Sequence, residues 1–118
     1  HARPDAPQEP LAFEAETLAG LDMPDTIAMR HRTPHFAHVF SGDGYSAGYY
    51  SYMWSEVLDA DAFSAFEESG DPFNPELAAR LRENIYSAGG SKDPEALYTA
   101  FRGKMPSPEA MMAKRGLV

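Results

Sequence analysis

Apolar residues recur at helical spacing over most of the chain, and helix punctuation bounds the recurrences. Asn74, Pro75 and Glu76 supply an N-cap, a proline at the first helical position and an acid in the first turn. Leu77, Leu81 and Ile85 follow at intervals of four, and Gly89 with Gly90 stops the element. Asp93, Pro94 and Glu95 repeat the start, Leu97 and Phe101 the stripe, and Gly103 the stop. Ser107, Pro108 and Glu109 open a third short helix around Met111 and Met112 that ends at Gly116.

Upstream, Leu11 to Ala19 is expected to be a helix ended by Gly20, and Pro24 to about Met29 another short one. Pro34 biases Thr33 away from the helical region, and Gly42 and Gly44 flank Asp43, so residues 33–44 are expected to be extended or looped. The longest helix is expected from about Ser46 to Glu68, ending at Gly70. At about 100° per residue it would carry Tyr45, Tyr49, Tyr52, Glu56, Asp59 and Phe63 on one stripe and Tyr50, Met53, Trp54 and Val57 on another. Strand alternation is nearly absent, so the fold class is all-α. A helix with aromatic material on two faces is normally buried inside a larger body, and the short helices here offer little cover, so the chain reads as a piece of something bigger. Residues 1–10, polar and proline-rich, read as a linker or cut edge, and 11–118 as the helical part.

Composition narrows the partners. At 118 residues, 43% hydrophobic and 24% charged, the chain has globular composition and length for one domain. A net charge of −8, with no basic cluster longer than Arg30, His31 and Arg32 or Lys114 and Arg115, argues against nucleic acid and against an anionic membrane surface. The absence of cysteine excludes disulfides and thiolate ligands and fits a reducing, cytoplasmic setting. No apolar run approaches a membrane span.

The chemistry-bearing residues concentrate in GDGYSAGYYSYMWSEV, residues 42–57, which holds four tyrosines, a tryptophan and three glycines. Tyr50, Met53, Trp54 and Val57, spaced as one helix face with nothing polar beside them, read as core. Tyr45, Tyr49 and Tyr52 lie beside a glycine-rich loop that lets backbone approach a ligand, and they share a stripe with Glu56. Their spacing fits structural hydrogen bonding or a site. His31, His35 and His38 carry metal-ligand spacing only if helical, and Pro34 interrupts that helix, so no metal site is assigned; His38 remains a substrate-contact candidate. A calcium loop starting at Asp59 fails, because Ser64 replaces its glycine and Gly70 its final glutamate. Neither a GxSxG elbow nor a phosphate-binding GxxxxGK is present.

The stretch HFAHVFSGDGYSAGYYSYMWSEVLDADAFSAFEESGDPFNPE, continued by GGSKDPEALYTAFRGKMPSPEAMMAKRGL, resembles the C-terminal part of the thimet oligopeptidase family of zinc metallopeptidases, most closely its bacterial peptidyl-dipeptidase branch. The resemblance implies the C-terminal helical segment of a larger, zincin-like catalytic domain with a deep channel, and a metal half that lies outside this chain: an HExxH helix and a downstream glutamate holding Zn2+. It also implies that His38, Tyr45, Tyr49 and Tyr52 line the substrate side of the cleft. Tyr45 and Tyr52 would hold the scissile carbonyl and its developing oxyanion, Tyr49 would shape the wall, and the loop with Gly42 and Gly44 would bend around the peptide. Its partners would be short peptides and the upstream part of the same polypeptide, with C-terminal dipeptides released in the cytoplasm, and this chain alone inactive. Two other readings stay open: a helical module that binds a peptide or partner without hydrolysing it, and a surface on which the long helix self-associates.

Overall fold

Residues 8–118, which the computed structural model describes, contain only helices as regular elements. The linker or cut edge expected at residues 1–10 lies, for residues 1–7, outside the described residues. The chain divides into two units, one ending at Tyr50 and the other running Ser51–Val118.

In the first unit α1 spans Pro10–Gly20. Glu9 caps it, its carboxylate accepting from the Leu11 and Ala12 amides at 3.2 and 2.7 Å, while Pro10 gives up an amide that would have had no partner. Gly20 closes the helix from within, and the stop falls at Asp22, whose φ of 54° is left-handed. The helix expected from Pro24 to Met29 is absent: a single turn forms there, closed by the Ile27 amide on the Pro24 carbonyl at 3.0 Å. Ile27 and Met29 are exposed, so so short a segment has no buried face to offset helix nucleation. Residues 33–44, expected extended or looped, instead hold a 3-10 turn over Thr33–His35 and a single-turn helix, α2, over Ala37–Phe40. Pro34 sits in the first turn, where its missing amide costs nothing, and acts as a helix starter.

The second unit opens with α3, Ser51–Ser69. Its start falls later than the expected Ser46, because residues 46–50 are taken up in turns. The Gly48 amide reaches the Tyr45 carbonyl at 3.3 Å, and a Cβ on Gly48 would stand 3.0 Å from the Gly44 carbonyl oxygen. At Gly48 the chain thus folds back so closely that an added side chain would press on the Gly44 carbonyl. Tyr45 and Tyr49 are therefore off the helix, and the stripe predicted to run from Tyr45 to Phe63 begins at Tyr52.

The punctuation downstream is realised closely. Asn74 caps α4, Pro75–Leu81, and Asp93 caps α5, Pro94–Arg102, each side chain accepting from two amides of the first turn. Gly103 takes the left-handed cap (φ 83°) expected of it. Two details differ. A π-helical turn, Arg82–Tyr86, continues α4. At α6, Glu109–Lys114, Pro108 occupies the cap position and Ser107, expected to cap, bonds the Glu109 carboxylate at 2.6 Å.

Two apolar clusters hold this unit. Ala65, Phe66, Tyr98 and Phe101 form one, with Leu77, Leu81 and Ile85 packed against it, and Phe101 is fully buried. Val57, Ala60 and Met111 form the other. Of the face expected to be core, only Val57 is buried; Tyr50, Met53 and Trp54 are 72%, 57% and 56% exposed. Periodicity shows which residues share a face, and α6 covers that face only from Val57 onward. A buried polar set joins α3 to α5. The Tyr98 hydroxyl donates to the Asp61 carboxylate at 2.6 Å, and Arg102 Nε lies 3.4 Å from the same carboxylate while its Nη atoms fork onto Glu68 at 2.6 and 3.0 Å. Burial, then the hydrogen bond to Asp61, push the Tyr98 phenol well above its ordinary pKa. The hydrogen bond from Arg102 holds the Glu68 carboxyl below the usual range.

Candidate functional site

The residues singled out by sequence fall in both units. In the first, His38 rides on α2, and the turns of residues 41–50 return Tyr45 and Tyr49 to it. The His38 ring centre is 4.8 Å from that of Tyr45 and 5.7 Å, edge-on, from Tyr49; the two phenol rings are 6.0 Å apart. Phe36 closes the group, edge-on to Tyr49 at 4.7 Å and stacked on His31 at 5.1 Å. Such edge-on pairs are favoured by the ring quadrupoles and orient the hydroxyls and imidazole without burying them. All three polar rings are exposed, Tyr45 and Tyr49 by rather more than a third of their surface.

Gly42 and Gly44 lie between α2 and Tyr45, and a Cβ at either would meet no atom within 4 Å. Crowding in this structure therefore does not demand glycine there; what glycine leaves is bare backbone facing open space, able to exchange hydrogen bonds with a peptide. The crowded glycine is Gly48, which sequence reasoning did not select. Its signal was the third glycine of the motif, spaced four from Gly44. Phe36, two residues before His38, was missed as a ring partner because a phenylalanine carries no chemistry by itself.

Tyr52 belongs to the second unit, in the first turn of α3, about half exposed. One turn on, Glu56 pairs with Arg115, the residue that caps α6, through Nε–Oε1 at 2.9 Å, and Lys114 stands 3.7 Å from Asp59. The Arg115 hydrogen bond, ahead of the charge itself, lowers the pKa of the Glu56 carboxyl. The same unit has an open apolar groove of about 740 Å³, lined by Trp54, Leu58, Phe63, Leu81, Ile85 and Met105 among others. None of the six selected residues lines it.

Among the described residues no group of three or more His, Asp or Glu side chains could hold a metal ion. No helix among them is long and apolar enough to cross a membrane.

Comparison with known proteins gives a consistent result. The profile of a family described as peptidase family M3 matches residues 3–117. Oligopeptidase A of Escherichia coli is 52% identical over 87 residues, 73% of this chain and 12% of that protein. Dipeptidyl carboxypeptidase of the same organism is 42% identical over 115 residues, 96% of this chain and 16% of the relative. A plant relative, from Arabidopsis thaliana, is named a probable cytosolic oligopeptidase A and is 50% identical over 86 residues, 70% of this chain and 12% of its own length. The chain thus spans less than a fifth of the length of the relatives it matches.

Proposed function

The chain belongs to peptidase family M3, and on that premise we propose that residues 11–118 are the C-terminal helical part of the catalytic domain of a cytoplasmic zinc peptidase that cleaves short peptides, supplying the substrate side of its active site. One observation carries the reading: an exposed group of His38, Tyr45 and Tyr49, built around bare glycine backbone, in the segment that immediately precedes an exposed Tyr52 on the long helix. Release of C-terminal dipeptides is the mode proposed, in keeping with relatives named dipeptidyl carboxypeptidase that match 95–96% of this chain at 41–42% identity; oligopeptidase A of E. coli matches 73% of it at 52%.

In this reading the backbone at Gly42 and Gly44 exchanges hydrogen bonds with the substrate's peptide groups, His38 contacts the peptide and Tyr49 forms the wall. Tyr52 and Tyr45 donate hydrogen bonds to the oxygen of the scissile carbonyl. As water adds to the carbonyl carbon, that oxygen gains negative charge, and a phenol already aimed at it stabilises the transition state more than the bound peptide. Zinc belongs to the whole polypeptide in this proposal. The described residues of this chain do not by themselves compose its site.

Tyr52→Phe tests the reading in the whole zinc-loaded polypeptide. The expected outcome is a fall in kcat of about 100- to 1000-fold with a small change in KM, because the substitution removes one donor and keeps the ring. Tyr50→Phe is the control; turnover near wild type in both variants would sink the proposal.

A second reading rests on the exposed Met53, Trp54 and Phe63 and the apolar groove beside them. In the leading proposal this surface receives the upstream part of the same polypeptide; in the isolated chain it is expected to self-associate or to take a partner without hydrolysis. Light scattering on the isolated chain decides: a strictly monomeric species at high concentration would remove the self-associating reading.

A further inference from the structure

We propose that Arg115 is a positioning residue for Tyr52, acting through Glu56; this rests on the reading that the Tyr52 hydroxyl meets the scissile carbonyl. The ties from α6 to α3 begin one helical turn after Tyr52. Glu56 is joined to Arg115 by a two-toothed pair, Nε on Oε1 at 2.9 Å and Nη2 on Oε2 at 2.5 Å. Val57 and Ala60 pack on Met111, and Asp59 stands 3.7 Å from Lys114. Residues four apart on a helix lie nearly above one another, so the carboxylate clamped by Arg115 is on the same stripe as the phenol.

The clamp itself is anchored. The Arg115 amide bonds the Met111 carbonyl at 3.0 Å, the Leu117 amide bonds that of Met112 at 2.9 Å, and Gly116 takes a left-handed φ of 70°, so the residue bearing the guanidinium sits inside a closed helix cap. A cation at the C-terminus of α6 also meets that helix's partial negative charge. Between α6 and the first turn of α3, where Tyr52, Met53 and Trp54 are exposed, Glu56 and Arg115 form the ionic contact nearest to Tyr52. An exposed ion pair contributes little to global stability, so its removal should leave melting nearly unchanged while freeing the start of α3 to move.

The test uses the whole polypeptide. Arg115→Ala should lower kcat about 10-fold, the scale of a small misplacement of a catalytic donor, with KM within about 2-fold of wild type. Its melting temperature should stay close to wild type. In zinc-free protein, amide hydrogen exchange should quicken over residues 51–57. Exchanging the charges, with Glu56→Arg and Arg115→Glu together, should restore most of the loss. In a Tyr52→Phe background Arg115→Ala should cost nothing further, because the group it places is gone. Unchanged kcat, unchanged exchange over residues 51–57, or the same loss in the Tyr52→Phe background would each overturn the proposal. If Tyr52→Phe is impaired while Arg115→Ala behaves as wild type, only this inference falls. Wild-type turnover in Tyr52→Phe removes the underlying reading instead.

Discussion

The two units of the chain are held by different means. In the second, a long helix is packed by shorter ones around a fully buried Phe101, and even its buried charge, Asp61, is enclosed by a tyrosine and an arginine. In the first, the buried residue among those described is a carboxylate, Glu14, which accepts the Thr33 amide at 3.2 Å and faces Arg32 at 3.7 Å, while Leu11, Phe13 and Leu21 are exposed. Rings meeting edge-on, together with glycine turns, organise its polar side chains. The side chains proposed to contact substrate in that unit, His38, Tyr45 and Tyr49, thus stand where little apolar area holds the backbone, whereas Tyr52 starts the longest helix of the better-packed unit. Local opening should follow the same division, with hydrogen exchange slow around Phe101 and fast around Tyr45.

The largest effect expected on this contrast is that of Phe101→Ala. Emptying a fully buried aromatic site should cost about 3–5 kcal/mol in denaturant melts followed within the second unit. A loss below about 1 kcal/mol would erase the difference between the units. Tyr98→Phe comes next. It takes a donor from the buried Asp61 and should cost about 1–3 kcal/mol, with exchange quickened in α3 and α5. The same phenol gives an alkaline signature. Its pKa is raised on folding, so its stabilising contribution is complete below the ordinary value of 10.0 and is lost as pH rises through the folded value. Wild type should lose stability above about pH 10 more steeply than Tyr98→Phe; parallel melting curves would mean that the Asp61 contact does not hold in solution. In the first unit Gly48→Ala must push against the Gly44 carbonyl and should cost about 1 kcal/mol, seen as faster exchange over residues 41–50 with α5 untouched. Glu14→Ala should be the mildest, about 0.5–1 kcal/mol, confined to the contact between α1 and Thr33. A global effect from Glu14 would show that a carboxylate does the work of a core there.

What the sequence disclosed follows the same line. Asn74 and Asp93, whose side chains cap amides two and three residues on, and Gly89 and Gly103, whose own backbone turns left-handed, act within a turn or two, and each was readable in place. So were Leu77, Leu97 and Phe101, whose spacing states a face. Met53 and Trp54, read as core and found exposed, were misread because what covers them decides their burial, and Asp61, charged and buried because Tyr98 and Arg102 arrive from about forty positions away, was not singled out at all. Sequence distance hides that partner, and a carboxylate beside Asp59 gives no hint of it. The start of α3 was missed because aromatic periodicity outweighed Gly44 and Gly48 in the reading, whereas in the folded chain the two glycines prevail. Within the candidate site His38, Tyr45 and Tyr49 were all selected and do meet, although not on a shared helix, and their companion Phe36 was not.

The widened turn at Arg82–Tyr86 reaches beyond packing. In an unbroken α-helix each step of four residues advances about 40° around the axis, so Ile85 would stand about 80° from Leu77. The Ser87 amide bonds the Arg82 carbonyl, five residues back, at 2.8 Å, and Leu77, Leu81 and Ile85 all reach the same cluster. Such a turn is an α-helical turn with one residue added. It therefore marks a place where the reading frame of the fold has slack of a single codon. Asn84 is already used, its amide donating to the Arg80 carbonyl at 2.9 Å, and Glu83, exposed and next to the Arg82 carbonyl that the widened turn closes on, is the residue chosen for removal. A deletion scan across this unit should find loss of Glu83 tolerated, since the turn closes to an ordinary helix and everything after it stays in place. A deletion within α5 rotates Tyr98 or Phe101 out of the core and should not be.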